Sequence, residues 1–335
     1  FPDYEPFGIQ EMLDKHSMHT RLTYRYSRPD PRPFIVVASR SCPFTCTFCV
    51  HGRRDIPYRA RSIENIMAEI KVMFERYKFN ILIILDELFA VKKDRLREFS
   101  NAVLKGKQEY GWDFDWTFQT HASARFDLEV LQLARSAGCF MFSYGLESAS
   151  ETVLKSMNKK LHVSFVVEAM NLAEQSKIAF SANLIFGDPA ETEDTWAESL
   201  AFWQEHGRKQ MIFLTALMPY PGSQVFEEAM NKKVIPNKEW YYDHIDEGTL
   251  NLTNIPQDNF KALIELIGYL EKAWLFVKQA TAVRYEQENP KMNKIWATCP
   301  YCNEESYYRQ ETRSLGAACI KCGRRMKVVA NANSK

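Results

Sequence analysis

Residues 39–52 read SRSCPFTCTFCVHG and carry three of the chain's eight cysteines. Cys42, Cys46 and Cys49 follow the spacing C-x3-C-x2-C, and no fourth cysteine stands nearby. The residues that lead into them, 34–39 (FIVVAS), have the apolar, β-branched character of a strand. Three thiolates on one loop after a strand predict a metal or iron–sulfur site that leaves one coordination position open for chemistry.

The remaining cysteines are Cys139, alone, and four near the end of the chain. Clustered C-x2-C pairs in a chain of 335 residues favour metal ligands in a reducing compartment over a disulfide scaffold. Cys139 stands at the start of a predicted strand, and we expect it in the core.

Composition excludes several classes of protein. The chain is 46% hydrophobic and 25% charged, as expected of a globular protein. A net charge of +1 indicates no general attraction to nucleic acid or to an anionic membrane. The most apolar run, residues 79–85, is far shorter than the roughly 18–20 residues of a membrane span. We find no secretory signal and predict a cytoplasmic location. Because the chain begins with Phe, we expect further residues upstream.

From residue 34 onward, short β-type runs alternate with amphipathic helical stretches. The helix predicted from Ser62 has apolar residues at helical spacing, and Ser62 suits its N-cap. Six β-then-α units predict a parallel sheet with right-handed crossovers. The predicted strands are residues 34–39, 80–85, 116–120, 140–144, 179–186 and 211–217.

The pattern divides the chain into four segments. Residues 1–33 are rich in proline and are predicted to be an extended lead-in or linker. Residues 34–232 carry the alternating pattern, and residues 233–290 are predicted to be a helical extension built on a helix at about 258–288. After Pro290 the composition changes to a small metal domain, residues 291–335.

The tail cysteines form C-x2-C-x16-C-x2-C, a spacing that resembles a zinc ribbon. Four thiolates complete a tetrahedron, so this site is predicted to be closed and structural; an auxiliary iron–sulfur cluster is the alternative. The neighbouring basic residues 321, 324, 325 and 327 would grip a phosphate or form a solvated face. The four candidate ligands are Cys299, Cys302, Cys319 and Cys322.

Five elements along the chain together resemble the radical S-adenosylmethionine (SAM) superfamily. The first is the cysteine loop, with Phe48 as the aromatic residue before the last cysteine. The resemblance implies a partial (β/α)6 TIM-like barrel, whose site lies at the carboxyl ends of the strands. The other four elements are residues 86–89 (DELF), 145–148 (GLES), 186–192 (FGDPAET) and 219–223 (PYPGS).

The resemblance also implies cofactors and their ligands. Cys42, Cys46 and Cys49 would bind a [4Fe–4S] cluster, and SAM would chelate the open iron and yield a 5′-deoxyadenosyl radical after one-electron cleavage. A zinc site of three cysteines and His51 is the alternative from the residues themselves. The implied cofactor-binding residues are Phe48, Asp86, Gly145, Glu147, Ser148, Gly187 and Glu191.

Four further positions have two interpretations each. Lys159 and Lys160 would pair with the SAM carboxylate or end a helix in solvent. His51 and His121 are expected on the same face as the cluster, where they would handle substrate protons or act only structurally.

Within the superfamily, the chain resembles the branch with a cobalamin-binding domain before the barrel. The lead-in FPDYEPFGIQEML, the cysteine loop and Arg59 and Arg61 carry this likeness, whereas the cobalamin signature D-x-H-x-x-G does not occur in the sequence. The branch implies methyl transfer, or related C–C or ring-forming chemistry, on a small molecule or lipid, with a low-potential electron donor such as flavodoxin or ferredoxin. The alternatives are a tRNA methylthiotransferase and a non-catalytic metal-binding interaction module.

Overall fold

The computed structural model describes residues 1–14, 28, 31–51, 56–207, 209–245, 249–273, 277–281, 283–290, 292–311 and 316–328. The strands are β1 (Pro33–Val36), β2 (Ser39–Arg40), β3 (Arg59–Ala60), β4 (Ile81–Ile84), β5 (Asp115–Thr120), β6 (Cys139–Glu147), β7 (Ala179–Phe186), β8 (Met211–Ala216), β9 (Val283–Asn289), β10 (Met292–Thr298), β11 (Glu305–Glu311), β12 (Gly316–Ala318) and β13 (Arg325–Lys327). The α-helices are α1 (Ile9–Asp14), α2 (Ile63–Tyr77), α3 (Lys93–Tyr110), α4 (Leu128–Ser136), α5 (Glu151–Ser156), α6 (Val163–Ser176), α7 (Glu193–His206), α8 (Gln224–Asn231), α9 (Lys238–His244) and α10 (Gln257–Ala273).

The main sheet has six strands in the order β1-β4-β5-β6-β7-β8. Each neighbouring pair is parallel, so all six carboxyl ends lie along one edge. The strand order follows the chain, as in a barrel that is wound in one direction and left open between its first and last strands. This confirms the predicted α/β class and partial (β/α)6 barrel. Only β6 is clearly longer than predicted, and Glu147 pairs with Leu184 beyond an irregularity at Gly145.

Helices cover one face of this sheet and bury an aromatic core. Helix α2 begins where the sequence predicts, because the Ser62 hydroxyl accepts a hydrogen bond from Asn65 N at 3.2 Å. Phe142 and Phe180 stand on adjacent strands with ring centroids 5.6 Å apart, edge to face. Both rings are fully buried. Burial of each contributes roughly 1.5–3 kcal/mol to folding.

The lead-in is not simply extended. Residues 5–7 form a 3-10 turn, followed by helix α1. Leu13 is fully buried, and the Tyr4 hydroxyl donates to Glu69 Oε1 of α2 at 2.7 Å. The prolines of residues 1–33 predict that regular structure is interrupted there. They do not predict helix α1, which is stabilised by packing against α2. Most of the remaining lead-in, residues 15–27 and 29–30, lies outside the described residues.

The predicted connector helix at about 258–288 is wrong in its second half. Helix α10 ends at Ala273, and Val283–Asn289 is strand β9. This strand pairs antiparallel with β10, which also pairs with β11. The segment assigned to the helical extension therefore contributes a strand to the tail sheet, because pairing with a distant partner overrides local helical periodicity. Among the described residues, no helix is long and apolar enough to span a membrane.

Candidate active site

The cysteine loop leaves β2 at the carboxyl edge of the sheet and is tied down on two sides. Thr47 N donates to Met157 O at 3.0 Å, and Val225 N of α8 donates to Thr47 O at the same distance. The Asn158 amide donates to Thr45 O at 2.9 Å and to Thr45 Oγ1 at 2.8 Å. The loop is thus held between the end of α5 and the start of α8, which are far apart in the sequence.

Asp86 anchors the entry to the loop. Its carboxylate accepts hydrogen bonds from Ala38 N and Ser39 Oγ, both at 2.7 Å. Burial raises its pKa, although these hydrogen bonds act in the opposite direction. Asp86 also lines the cavity described next. Its predicted role in cofactor binding stays a prediction. The contacts of both carboxylate oxygens show a positioning role.

A cavity of about 530 Å³ opens beside the loop. It brings together residues from the ends of β4, β5 and β6, which are remote from one another in the sequence. Of the predicted site residues, the cavity is lined by Cys42, Cys46, Cys49, Phe48, Asp86, Gly145 and Glu147, together with His51, His121 and Lys159.

Glu147 and Lys159 form a buried ion pair in the cavity wall. Lys159 Nζ lies 2.9 Å from Glu147 Oε1, and each side chain is 8% exposed. Burial opposes the Lys159 charge, but the Glu147 carboxylate, together with Cys46 and Cys42, raises the lysine pKa. Gly145 makes room for the pair: a Cβ there would lie 2.2 Å from Glu147 Oε1 and 2.7 Å from Lys159 Nζ. Lys160 is exposed and does not line the cavity.

The two candidate histidines have different surroundings. His51 Nδ1 lies 3.3 Å from Glu87 Oε1, and the imidazole is half exposed in the cavity. His121 is 3% exposed and stacks on Phe44 with centroids 4.0 Å apart. Burial, with a smaller effect of Lys159, lowers the pKa of His121 to about 4, so it is neutral at pH 7. These contacts favour the structural interpretation for His121.

Ser148, Gly187 and Glu191 lie behind the cavity rather than in its lining. Ser148 Oγ lies 3.3 Å from Ser199 Oγ of α7. Glu191 Oε2 accepts a hydrogen bond from Gly187 N, which closes the turn after β7. Burial raises the pKa of Glu191 to about 7. In this structure the three residues support the turns around the site, and their predicted cofactor contacts stay predictions.

A second cavity of about 240 Å³ continues down the concave face of the sheet and shares Asp86, Gln119 and Glu147 with the first. Sequence analysis did not single out its polar lining. The available signal was the alternation of polar and apolar residues within β5, β6 and β7. The hydroxyl and amide side chains along it are Thr117, Gln119, Ser143, Ser181 and Asn183.

The four tail cysteines converge on one point, with their sulfurs within 4.8 Å of one another. Among the described residues, these four side chains form a group of ligand atoms close enough together to hold one metal ion. Cys139 is fully buried in the core, as predicted.

Comparison with known proteins identifies the superfamily of this chain. Residues 36–202 match the model of the radical SAM superfamily. An uncharacterized methyltransferase of Pyrococcus horikoshii is 28% identical over 64% of this chain and 46% of its own length. The anaerobic magnesium-protoporphyrin IX monomethyl ester cyclase of Rubrivivax gelatinosus is 27% identical over 65% of this chain and 39% of its own. The chain thus spans less than half the length of these two relatives.

Among solved structures, the radical SAM methyltransferase TsrM from Kitasatospora setae, with cobalamin and a [4Fe–4S] cluster bound, superposes with a TM-score of 0.53. The match covers 62% of this chain and 38% of that chain at 15% identity, which is a similarity of fold.

Proposed function

Because this chain belongs to the radical SAM superfamily, we propose that its barrel is the catalytic domain of an enzyme that cleaves SAM reductively. Cys42, Cys46 and Cys49 would hold the [4Fe–4S] cluster, and the fourth iron site would be left to SAM. When bound, the cluster and SAM supply a 5′-deoxyadenosyl radical for hydrogen abstraction from a substrate. The observation that carries the proposal is the shared cavity that joins the three cysteines to Glu147 and Lys159.

The Glu147–Lys159 pair is suited to the amino-acid end of SAM. That end carries an ammonium and a carboxylate, and the pair presents one partner of each opposite charge. Binding would replace one buried ion pair with two, so neither side chain would be left as an uncompensated buried charge. This gives Lys159, rather than the exposed Lys160, the role of carboxylate partner.

The cavity lining supports a small-molecule substrate. Hydroxyl and amide groups line the concave face, and the acidic residues among them, Asp86 and Glu147, already have partners. A neutral group with hydrogen-bonding atoms fits this lining better than a phosphate or a long alkyl chain does. A low-potential donor such as flavodoxin or ferredoxin would supply the electron. Free thiols throughout the chain favour the cytoplasm as its location.

Methyl transfer, or a related C–C or ring-forming reaction, is the proposed reaction class. Support comes from the names of the relatives, which include a methyltransferase, a ring-forming cyclase and a bacteriochlorophyllide methyltransferase. Cobalamin would be supplied by a domain outside this sequence. The tRNA-2-methylthio-N(6)-dimethylallyladenosine synthase of Clostridium beijerinckii is also 26% identical over 61% of this chain, so the barrel itself is common to both reaction classes.

The decisive experiment is anaerobic reconstitution with iron and sulfide, followed by measurement of 5′-deoxyadenosine formed from SAM and a low-potential reductant. We expect product from the wild type and none above background from Cys46→Ala, because a cluster ligand is lost. The Cys139→Ala variant is the matched control, since that buried thiol lies in the core. Equal product from wild type and Cys46→Ala, or none from iron-loaded wild type, would contradict the proposal and favour a non-catalytic metal-binding module.

A further inference from the structure

We propose that the four tail cysteines hold a single zinc ion, and that this ion clamps the tail into the amino-terminal end of the barrel as a plug. The plug is residues 316–328. The inference is independent of the proposed reaction, because it concerns the opposite end of the sheet from the cysteine loop. The barrel floor on which the plug lies is formed by Ile81, Ile83, Phe140, Met141, Ala179 and Met211.

The sulfur positions fit one ion better than a cluster. Cys299 Sγ lies 3.7 Å from Cys322 Sγ, and Cys302 Sγ lies 3.6 Å from Cys319 Sγ. Zinc–sulfur bonds of about 2.3 Å in a tetrahedron place the sulfurs about 3.8 Å apart. In a cubane each thiolate binds a different iron, which spreads the sulfurs farther. Four thiolates without nitrogen or oxygen ligands suit a closed zinc site.

The second cysteine pair forms the part of the plug that contacts the barrel. Gly323 N donates to Cys319 O at 2.9 Å, and Cys319 N donates to Arg324 O at 3.0 Å. These bonds close a tight turn in which Gly323 has a φ of +71°. The turn projects Ile320, which together with Ala318 packs against the barrel floor. Along residues 318–322, the candidate zinc ligands thus alternate with residues that pack against the barrel floor.

The fit between plug and barrel is close. A Cβ on Gly323 would lie 2.8 Å from both Ile178 C and Ala179 N at the start of β7, so only glycine fits there. Arg325 N donates to Lys209 O at 2.9 Å. Arg135 of α4 donates to Ile320 O.

Loss of the ion would release this contact. The tail has a small core of its own, and units of this size depend on a structural metal for folding. Without the plug, the apolar floor and the lower end of the barrel would be open to water. Metal bound by the tail cysteines should therefore slow hydrogen exchange of the amides at the amino-terminal ends of the central strands.

The first test is metal analysis of the full chain. We expect about one zinc per chain in the Cys42→Ala/Cys46→Ala/Cys49→Ala variant, in which any remaining metal belongs to the tail. Iron with acid-labile sulfide in that variant, or no metal at all, would overturn the proposal.

The second test is hydrogen exchange at residues 81–83, 139–141 and 179–181. We expect exchange on the order of tenfold faster in Cys302→Ser than in wild type, together with loss of zinc. Gly323→Ala keeps all four ligands but obstructs docking, so it should retain zinc and still show faster exchange. Lys321→Ala is the control, because this exposed side chain between the ligands contacts Glu304 rather than the floor. Unchanged exchange in both Cys302→Ser and Gly323→Ala would refute the plug.

Discussion

At the scale of single residues, Gly145 shows how the backbone leaves room for the charged groups of the site. It lies within β6 beside the buried ion pair, and its missing side chain leaves room for Glu147 Oε1 and Lys159 Nζ. The family resemblance gives Gly145 only as an implied cofactor-binding residue. The structure gives a different reason for it, because any Cβ would occupy space that the two charged groups use.

Substitution of Gly145 should disrupt this pair. We expect Gly145→Ala to displace Glu147 or Lys159 and to weaken SAM binding at least tenfold, or about 1.4 kcal/mol, because a buried charge loses its partner. Equilibrium binding of SAM to the reconstituted protein measures this. Gly111→Ala is a control for general loss of stability, since a Cβ at that helix end meets no atom within 4 Å. Equal affinity in wild type and Gly145→Ala would contradict the proposed role of the pair.

Glu191 should make stability depend on pH. Burial raises its pKa from 4.5 to about 7, so the folded state binds a proton that the unfolded state has already lost between these values. The folding stability that comes from this pKa shift is therefore fully present below pH 4.5 and is lost as the pH rises through 7. The expected loss is about 3 kcal/mol.

The measurement is denaturant unfolding of wild type and Glu191→Gln at pH 5 and pH 8. The amide keeps an acceptor for Gly187 N but carries no charge. We therefore expect the variant to be the more stable protein at pH 8 and the two to be similar at pH 5. Parallel pH profiles for the two proteins would show that Glu191 titrates normally.

At the scale of elements, the cysteine loop depends on the turn after α5. Asn158 has a φ of +50°, a conformation that asparagine tolerates, and its amide makes two hydrogen bonds to Thr45. The three cysteines are thus presented by a loop whose shape is set from a distant part of the chain.

Removal of this amide should loosen the loop. We expect Asn158→Gly, which keeps the backbone conformation accessible, to lose roughly 1–3 kcal/mol of unfolding free energy for two hydrogen bonds. Asn158→Ala should lose about 1 kcal/mol more from backbone strain. Urea unfolding, with iron content of the reconstituted proteins as a second readout, tests both. If Asn158→Gly matches wild type in stability and iron content, the hydrogen bonds from Asn158 to Thr45 do not position the loop.

At the scale of the whole molecule, the two ends of the barrel have separate tasks. The carboxyl edge gathers the cysteine loop, the ion pair and the cavity, while the amino-terminal end is closed by apolar residues of the tail. The total charge is near neutral, +1, so it gives no general attraction to polyanions.

This charge predicts no tight binding of RNA. We expect unmodified tRNA to bind more weakly than about 100 μM at physiological salt, which is the weak limit of typical nonspecific association. Filter binding at two salt concentrations measures it. Submicromolar, salt-dependent binding would favour the tRNA methylthiotransferase alternative instead.

The sequence by itself determined the strand–helix alternation, the positions of the six main-sheet strands and both cysteine groups, because hydrophobic periodicity and ligand spacing are local properties. Only the tertiary structure decided which residues meet. The pairing of Glu147 with Lys159, the polar concave face and the contact of Ile320 with the floor depend on distances between remote segments. The same reason explains the incorrect helix over β9, since a strand is stabilised by a partner that local periodicity does not reveal.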